Sequence, residues 1–432
     1  MTRQHLTLTL VRLIPQLLTY TAIPAHRNAK LLEPEGKPAK WPVMVFSHGL
    51  GGSRNAYSFI LGSLASYGIV VIAPDHRDQS APISYIRATE QSPARIIHYH
   101  RHSHEPSQEV YEARDEQLRI RLYELGLIHD AIVKIANGQC PKNLDPNSSY
   151  RWRRNVNEVL DMFENRLDVD RPGSIIWAGH SFGSATTVQL LKSTFWLCDP
   201  EKAAMEGYTP LFTPSRESSL GRQITPRSTV ILLDMWCLPL KSPSTRWLWQ
   251  KPMPSYAAGG SGGDAILSVI SDAFQKWSGN LNDTRRILNP PEMQGSAKPS
   301  PKYFYPPSSA HLSQSDFGVL FPFVIRRVLK VEEPERIVKL NVRAILQSLR
   351  DNGHIVADTS KLDMEEEDEQ QASRFPNLSG RQDWRILDPQ GGIRGWVPVS
   401  PALQLEDETV EDESRTPADE IDETEVLGEV RI

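Results

Sequence analysis

The sequence predicts an α/β fold, with a mostly parallel sheet and helices on both of its faces. Segments with one apolar helical face lie between and after the predicted strands. This alternation of strands and helices predicts an open sheet with right-handed crossover connections. The strands are expected in four β-branched runs that are apolar throughout, as is typical of parallel strands covered on both sides: VMVF (43–46), IVVIA (69–73), SIIWA (174–178) and TVILLD (229–234).

Two long segments have the helical period, and each ends near a glycine that can terminate it. The first is 115–137, before Gly138, with an apolar stripe of Leu118, Leu122, Leu125, Ile132 and Ile135. The second is 335–350, before Gly353, with a stripe of Val338, Val342, Ile345 and Leu349. A further helix is expected at ATTVQLL (185–191), directly after the run SIIWA.

The pattern of strands and helices continues to about residue 355, so we predict one folded domain over 1–355. Residues 194–227 and 279–310 are expected to be insertions or long loops within it. Residues 356–432 are rich in acidic and poor in aromatic residues, which predicts a largely disordered tail. Within that tail, WRILDPQGGIRGWVPV (384–399) is compatible with a local hairpin.

Composition and charge exclude several classes of protein. The net charge of −5 is unevenly placed, because residues 401–432 hold twelve Asp and Glu against two Arg, which leaves residues 1–400 near +5. Nothing in this distribution suggests a nucleic-acid surface. Three cysteines are too few for a disulfide framework or a zinc site, and neither a signal peptide nor a membrane span is recognisable. A cytoplasmic location is therefore favoured.

The segment GHSFG (179–183) lies between a predicted strand and a predicted helix. A strand that turns at once into a helix strains the residue at the turn, and glycines two places before and after it remove clashing side chains. Ser181 is thereby predicted to be the exposed nucleophile of such an elbow. The alternative is a glycine-flanked serine in an ordinary turn, which the strand before it and the helix after it disfavour.

A serine nucleophile needs a base, and the base needs an acid that fixes its tautomer. In α/β-hydrolases the order along the chain is Ser, then Asp or Glu, then His. Asp234 closes the strand TVILLD and is the predicted acid, while Asp264 and Asp272 lie in or beside probable helices. Two histidines follow Asp234, and they are His311 and His354. We predict that His311 is the base, because His354 follows a helix end.

An oxyanion needs amide donors. The N–H of Phe182, directly after the nucleophile, is one predicted donor. The second is expected from the glycine-rich loop SHGLGG (47–52), where Leu50 is the natural candidate.

Longer motifs connect the sequence to a known family. They are FSHGLGGSRNAYSFILGSLASYGIVVIAPDHRDQSA, GHSFGSATT, LLDMWCLPL, AHLSQSDFG and RDEQLRIRLYELGLIHDAI. Over roughly residues 7–320, these motifs resemble the plasma, or type II, platelet-activating factor acetylhydrolases and their fungal relatives. The resemblance implies an α/β-hydrolase and a calcium-independent serine esterase that removes a short sn-2 acyl group from a phospholipid. It also implies that Ser181, Asp234 and His311 form a triad, that Leu50 and Phe182 form the oxyanion hole, and that no cofactor or metal is needed.

Three features depart from that family pattern. About 42 residues precede VMVF, so the first one or two strands are expected to be missing. Residues 194–227 lengthen the path between nucleophile and acid, and the acidic tail has no expected counterpart.

Two further segments bear on possible ligands. LTLTLVRLIPQLLTY (6–20) could lie in a lipid interface, although packing on the domain is favoured. The histidines of HYHRHSH (98–104) could be read as metal ligands. No acidic ligand accompanies them, so a polar loop is expected instead of a metal site.

Two alternatives to the short-acyl esterase remain open. One is a carboxylesterase or lipase for other acyl esters, since the catalytic groups are shared and the pocket decides the substrate. The other is a catalytically silent α/β-hydrolase that serves as a binding module.

Overall fold

The computed structural model describes residues 25–26, 28–33, 40–141, 144, 156–290, 298–360, 363–364 and 385–404. Its strands are β1 (Trp41–Ser47), β2 (Val70–Ile72), β3 (Ile83–Ile86), β4 (Arg95–His98), β5 (Leu167–Asp168), β6 (Ile176–His180), β7 (Val230–Leu233), β8 (Ile266–Val269), β9 (Lys302–Tyr305) and β10 (Val397–Pro398). Eight of them form one sheet in the order β10-β9-β8-β7-β6-β1-β2, with β5 paired to β1. All its pairs are parallel except β9 with β10, and β3 and β4 form a separate antiparallel pair.

The helices follow the strands in the expected alternation. They are α1 (Ser58–Ser66), α2 (Gln108–Ala136), α3 (Val156–Asp161), α4 (Phe182–Phe195), α5 (Pro200–Met205), α6 (Ser219–Gln223), α7 (Arg246–Trp249), α8 (Asp272–Lys276), α9 (Ser278–Leu288), α10 (Phe317–Leu320), α11 (Pro322–Val328) and α12 (Pro334–Asp351). Within the described residues, none of these helices is both long enough and apolar enough to cross a bilayer.

Both faces of the central strands are buried. Val45 and Trp177 point into a core shared with α2 and α4, whereas their chain neighbours Phe46 and Ala178 point into a second core shared with α1 and α12. Side chains alternate across a strand, so a strand covered on both sides must be apolar throughout. The predicted α/β architecture is confirmed, and all four predicted strands lie in the sheet.

Two segments differ from the sequence-based expectation. Part of the expected loop 279–310 is the helix α9, because Leu281, Ile287 and Leu288 recur at helical spacing and are buried. The segment 385–404 does not form a local hairpin. Its residues Ile386 and Trp396 pack into the second core, and β10 extends the sheet beside β9. This segment carries apolar side chains, whereas the residues around it are acidic. The composition averaged over the whole tail obscured this difference.

On the other side, the sheet ends at β2 as far as the described residues show. The expectation of missing strands concerns residues before Trp41, most of which lie outside the described part of the chain. The same holds for the interfacial segment 6–20. Within 194–227, the structure places the short helices α5 and α6.

Candidate active site

The turn from β6 into α4 places Ser181 in the left-handed backbone region, with φ 54° and ψ −119°. Such a conformation is strained for a residue other than glycine and persists only where neighbours enforce it. A Cβ atom on Gly179 would lie 2.4 Å from the Gly183 carbonyl, and a Cβ atom on Gly183 would lie 2.0 Å from the Ser47 carbonyl oxygen. Both glycines of the motif are therefore required by the close approach of backbone to backbone.

Hydrogen bonds fix this elbow against β7. The Ser181 N–H donates to the Leu233 carbonyl at 2.9 Å. The Ser184 hydroxyl lies 2.7 Å from the Gly179 carbonyl oxygen and 3.0 Å from the Leu233 carbonyl oxygen. The nucleophile candidate thus stands on a rigid turn that is anchored to the strand preceding Asp234.

Asp234 and His311 are in direct contact. His311 Nδ1 lies 3.0 Å from Asp234 Oδ2. The other carboxylate oxygen, Oδ1, accepts the N–H of Ser271. His311 begins a short helical turn (His311–Gln314) that follows β9. The acid and the base predicted from chain order are therefore paired, although they are 77 residues apart.

The rival residues lie elsewhere. His354 bonds to the Thr229 hydroxyl at 2.9 Å, just before β7 begins and therefore at the opposite end of that strand from Asp234. Asp272 starts α8 and pairs with Lys276, while Asp264 belongs to the helical turn Gly262–Ala265.

Ser181 does not hydrogen-bond to His311 in the described part of the chain. Ser181 directly follows His180, whose ring lies 4.4 Å from the ring of His311. Catalytic hydrogen bonds are often long without substrate and tighten when it binds. The geometry thus gives a formed Asp234–His311 pair next to the residue that precedes Ser181, without a hydrogen bond from Ser181 to His311.

Burial keeps the His311 imidazole neutral. It lowers the pKa of His311 to about 3. The ring stacks on Phe274 at a centroid distance of 4.5 Å and an interplanar angle of 10°. Burial also raises the pKa of Asp234 to about 7, against the opposing effects of His180 and the Ser271 N–H. A neutral imidazole can accept a proton, which is the property that a general base requires.

The two predicted oxyanion donors lie at the same edge of the sheet as Ser181. A Cβ atom on Gly49 would be 3.1 Å from the Ser181 Cβ, so the glycine-rich loop passes directly over the elbow. Among the described residues, no acceptor is recorded for the N–H of Leu50 or that of Phe182. Amides left without an internal acceptor beside a nucleophile are available to a developing oxyanion.

The sequence analysis missed several polar neighbours of the site. The Tyr57 hydroxyl accepts the Gly49 N–H at 3.0 Å and bonds to His180 Nδ1 at 2.9 Å. Arg121 and Asp78 form a fully buried ion pair beneath the glycine-rich loop. The available signal was the recurrence of polar residues at helical spacing beside the apolar stripe of α2, at Arg114, Gln117 and Arg121.

Three side chains at the candidate site, those of His180, Asp234 and His311, are of the types that bind metal ions. One side-chain atom each of His180, Asp234 and His311 lies within 4.8 Å of the other two. The contact between His311 and Asp234, however, is a hydrogen bond, and Tyr57 engages His180 Nδ1. This bonding pattern fits a charge-stabilising acid–base pair better than a set of ligands pointing at one ion.

Comparison with known proteins gives a consistent result. The sequence matches the family model described as platelet-activating factor acetylhydrolase, isoform II, over residues 2–372. It is 29% identical over 367 residues to a putative phospholipase A2 of Schizosaccharomyces pombe, which covers 79% of this chain and 74% of that protein.

Animal relatives carry the family's name. A platelet-activating factor acetylhydrolase of Canis lupus familiaris is 34% identical over 171 residues, or 39% of this chain and 35% of that protein. The Gallus gallus protein of the same name is 25% identical over 354 residues, or 79% and 68%. Among solved structures, a ferulic acid esterase from Streptomyces cinnamoneus aligns at 16% identity and a TM-score of 0.38, over 74% of this chain and 68% of that one.

Proposed function

The chain belongs to the platelet-activating factor acetylhydrolase isoform II family, and from this premise we propose that it is a serine esterase that hydrolyses the sn-2 short acyl ester of phospholipids. The observation that carries the proposal is the 3.0 Å hydrogen bond between His311 and Asp234 beside the strained Ser181 elbow. An ester hydrolase needs this acid–base pair together with a nucleophile and oxyanion donors, and the proposal is supported by candidates for each of these groups at one edge of the sheet.

In the first half-reaction the Ser181 hydroxyl oxygen attacks the ester carbonyl carbon, and His311 Nε2 takes the hydroxyl proton. Asp234 accepts the Nδ1–H, which holds the imidazole in the tautomer whose Nε2 is free, and it stabilises the imidazolium that forms. The carbonyl oxygen becomes an oxyanion, which accepts hydrogen bonds from the backbone N–H groups of Leu50 and Phe182. Collapse of the tetrahedral intermediate breaks the ester C–O bond, and His311 returns the proton to the departing lysophospholipid alcohol.

In the second half-reaction a water molecule attacks the acyl-enzyme. His311 takes a proton from the water, and the oxyanion forms in the same place. Breakage of the bond to Ser181 returns the proton to the serine and releases the carboxylic acid. The proton acceptor and the oxyanion donors are all protein groups, so we expect turnover in the presence of a calcium chelator.

The name of the fission-yeast relative supports a second candidate substrate. A phospholipase A2 releases long acyl chains from the same sn-2 position, and this relative spans 79% of the chain. The catalytic groups serve both substrates, so acyl length decides between them. Release of acetate and of palmitate from phosphatidylcholines that differ only at sn-2 separates the two candidates, and we expect faster release of acetate.

A phospholipid must also leave its aggregate to reach the site, and we propose peripheral contact with a lipid surface. Support comes from α10 and α11, which follow His311 and expose Leu320, Phe323 (74%) and Val328. Arg326 and Arg327 lie on the same segment. Phe323→Asp is expected to slow hydrolysis of vesicle phospholipid while leaving hydrolysis of a soluble short-chain ester unchanged; equal loss on both substrates would contradict lipid contact by this segment.

The proposed mechanism is tested with a fluorophosphonate probe and two pairs of variants. We expect the probe to label Ser181, and we expect Ser181→Ala and His311→Ala each to lower kcat by about 10⁶-fold. The controls are Ser66→Ala, an exposed serine on α1, and His354→Gln, the rival histidine at the other end of β7. Labelling that persists in Ser181→Ala would refute the assignment, and a folded wild type that neither labels nor hydrolyses esters would favour a silent module.

A further inference from the structure

A buried polar cluster that the proposed reaction does not use lies beneath the glycine-rich loop. Its centre is Arg121 on α2, whose side chain is fully buried. Arg121 Nε donates to Asp78 Oδ2 at 2.6 Å, and Nη2 donates to the Ser80 hydroxyl. Arg121 Nη1 donates to the His48 carbonyl oxygen at 2.8 Å. A guanidinium presents its donors in a rigid planar fork, so these contacts fix its orientation.

The contact with His48 acts on the backbone that carries the first oxyanion donor. The His48 carbonyl belongs to the peptide that leads into Gly49, and Leu50 follows. On the two sides of Leu50, the Gly49 N–H donates to Tyr57 at 3.0 Å and the Gly51 N–H donates to the Ser80 carbonyl at 2.8 Å. Ser80 in turn accepts from Arg121, so the peptides around the Leu50 N–H are held by one connected set of bonds.

The same guanidinium touches the residue that carries the second donor. Its carbon atom Cζ lies 4.2 Å from the centroid of the Phe182 ring. Arg121 Nη1 also lies 3.4 Å from the Thr186 hydroxyl, one turn further along α4. A desolvated cation over an aromatic face is attracted to the negative face of the ring. Arg121 is therefore in contact with both segments that supply amides to the oxyanion.

The charge of Arg121 is compensated locally. Burial alone would raise the pKa of Asp78, but the Arg121 charge together with hydrogen bonds from Ser80 and Arg121 holds it below its ordinary value. The pair is therefore ionised at neutral pH. An ionised buried pair stays in place only if its remaining donors and acceptors are also satisfied, and here the acceptors include the backbone of the glycine-rich loop.

We propose that Arg121 is a positioning residue for the oxyanion hole, which holds the Leu50 and Phe182 amides at a fixed separation through the His48 carbonyl and the Phe182 ring. This proposal rests on the proposed function, since it assigns the arginine a task in that reaction. Arg121 touches neither the substrate nor the reacting atoms. Its effect should appear in the stability of the transition state and hardly in the binding of the ester.

Arg121→Lys is the decisive variant, because it keeps the charge that Asp78 needs but replaces the planar fork with a single ammonium group. We expect kcat to fall about 100-fold, the loss typical of a small misplacement of a catalytic group, with little change in KM. Affinity for a trifluoromethyl ketone, which forms a tetrahedral oxyanion adduct on the serine, should fall by the same factor. The matched control is Arg285→Lys, another buried arginine that donates to a backbone carbonyl, that of Ser400, and it should retain wild-type kinetics.

If Arg121→Lys does not fold, the double variant Arg121→Gln with Asp78→Asn removes both buried charges together, and the same losses are expected. A folded variant whose kcat and ketone affinity equal those of Arg285→Lys would overturn the positioning role while leaving the esterase assignment intact. A folded wild type without esterase activity would instead refute the proposed function. In that case amide hydrogen exchange at residues 49–51 still tests whether Arg121 positions the glycine-rich loop. We expect faster exchange in Arg121→Lys, and unchanged exchange would contradict the positioning role.

Discussion

The candidate site has two halves, which we name the oxyanion half and the base half after their proposed roles, and they are built from different chemistry. The oxyanion half, residues 47–52 with Tyr57, rests on buried charged and polar groups whose hydrogen bonds are directed at the backbone. The base half, Asp234 and His311, rests on an aromatic stack with Phe274 and a single hydrogen bond between the two side chains. In the proposed mechanism, one half fixes the positions of amides that never change their charge, and the other surrounds a group that must change its charge in every turnover.

The contrast follows from what each half must do. Amide donors work by being oriented before the charge develops, so a dense network that prevents their reorientation is useful. A general base must be neutral before the reaction, and apolar surroundings achieve this by disfavouring the charged imidazole. Tyr57 connects the halves, because its hydroxyl accepts from Gly49 and bonds to His180, whose ring lies against His311.

The largest effect is expected where the base half depends on its single hydrogen bond. Asp234→Asn should lower kcat by about 10⁴-fold, because the amide favours the wrong tautomer of the histidine. Hydrolysis of a soluble acetyl ester at saturating substrate measures the effect. Asp272→Asn, which alters the aspartate at the start of the neighbouring helix α8, should remain active. Similar losses in both variants would mean that Asp234 is not the specific partner of His311.

A smaller effect is expected where the halves meet. Tyr57→Phe leaves the Gly49 N–H without its buried acceptor, which costs about 1–3 kcal/mol. We expect lower thermal stability and a loss of about tenfold in kcat, a cost of the order of one hydrogen bond to a neutral group. Tyr67→Phe is the control, since this tyrosine bonds to Asp363 at the far end of α1. Loss of stability with an unchanged kcat would show that the halves are energetically independent.

The sequence predicted the proximity of the proposed acid and base, but not the residues that support the candidate site. Chain order and the strand ends were sufficient to pair Asp234 with His311, because a parallel sheet brings the carboxyl ends of its strands together. The two glycines around Ser181 also revealed a close backbone approach. Arg121, Glu124 and Tyr57 were missed because their partners lie on other elements, and only the packing of α2 under the loop brings them together. The same limit explains segment 385–404, whose apolar residues find their partners on β9 and α12.

The pH profile sharpens the comparison, because burial raises the pKa of one carboxyl group in the base half, Asp234, and of one beside the oxyanion half, Glu124, to about 7. Asp234 must be ionised to accept the Nδ1–H of His311, so kcat/KM should fall about tenfold for each pH unit below 7 and reach a plateau above it. Asp234 and His311 share a hydrogen bond in a buried site, so they titrate as a coupled pair and this limb belongs to the pair. Glu124 bonds to His76, which bonds to Ser47 at the start of the glycine-rich loop. Glu124→Gln therefore separates the two: an unchanged limb assigns the pH dependence to the base half, whereas its disappearance would mean that ionisation in the oxyanion half controls the reaction.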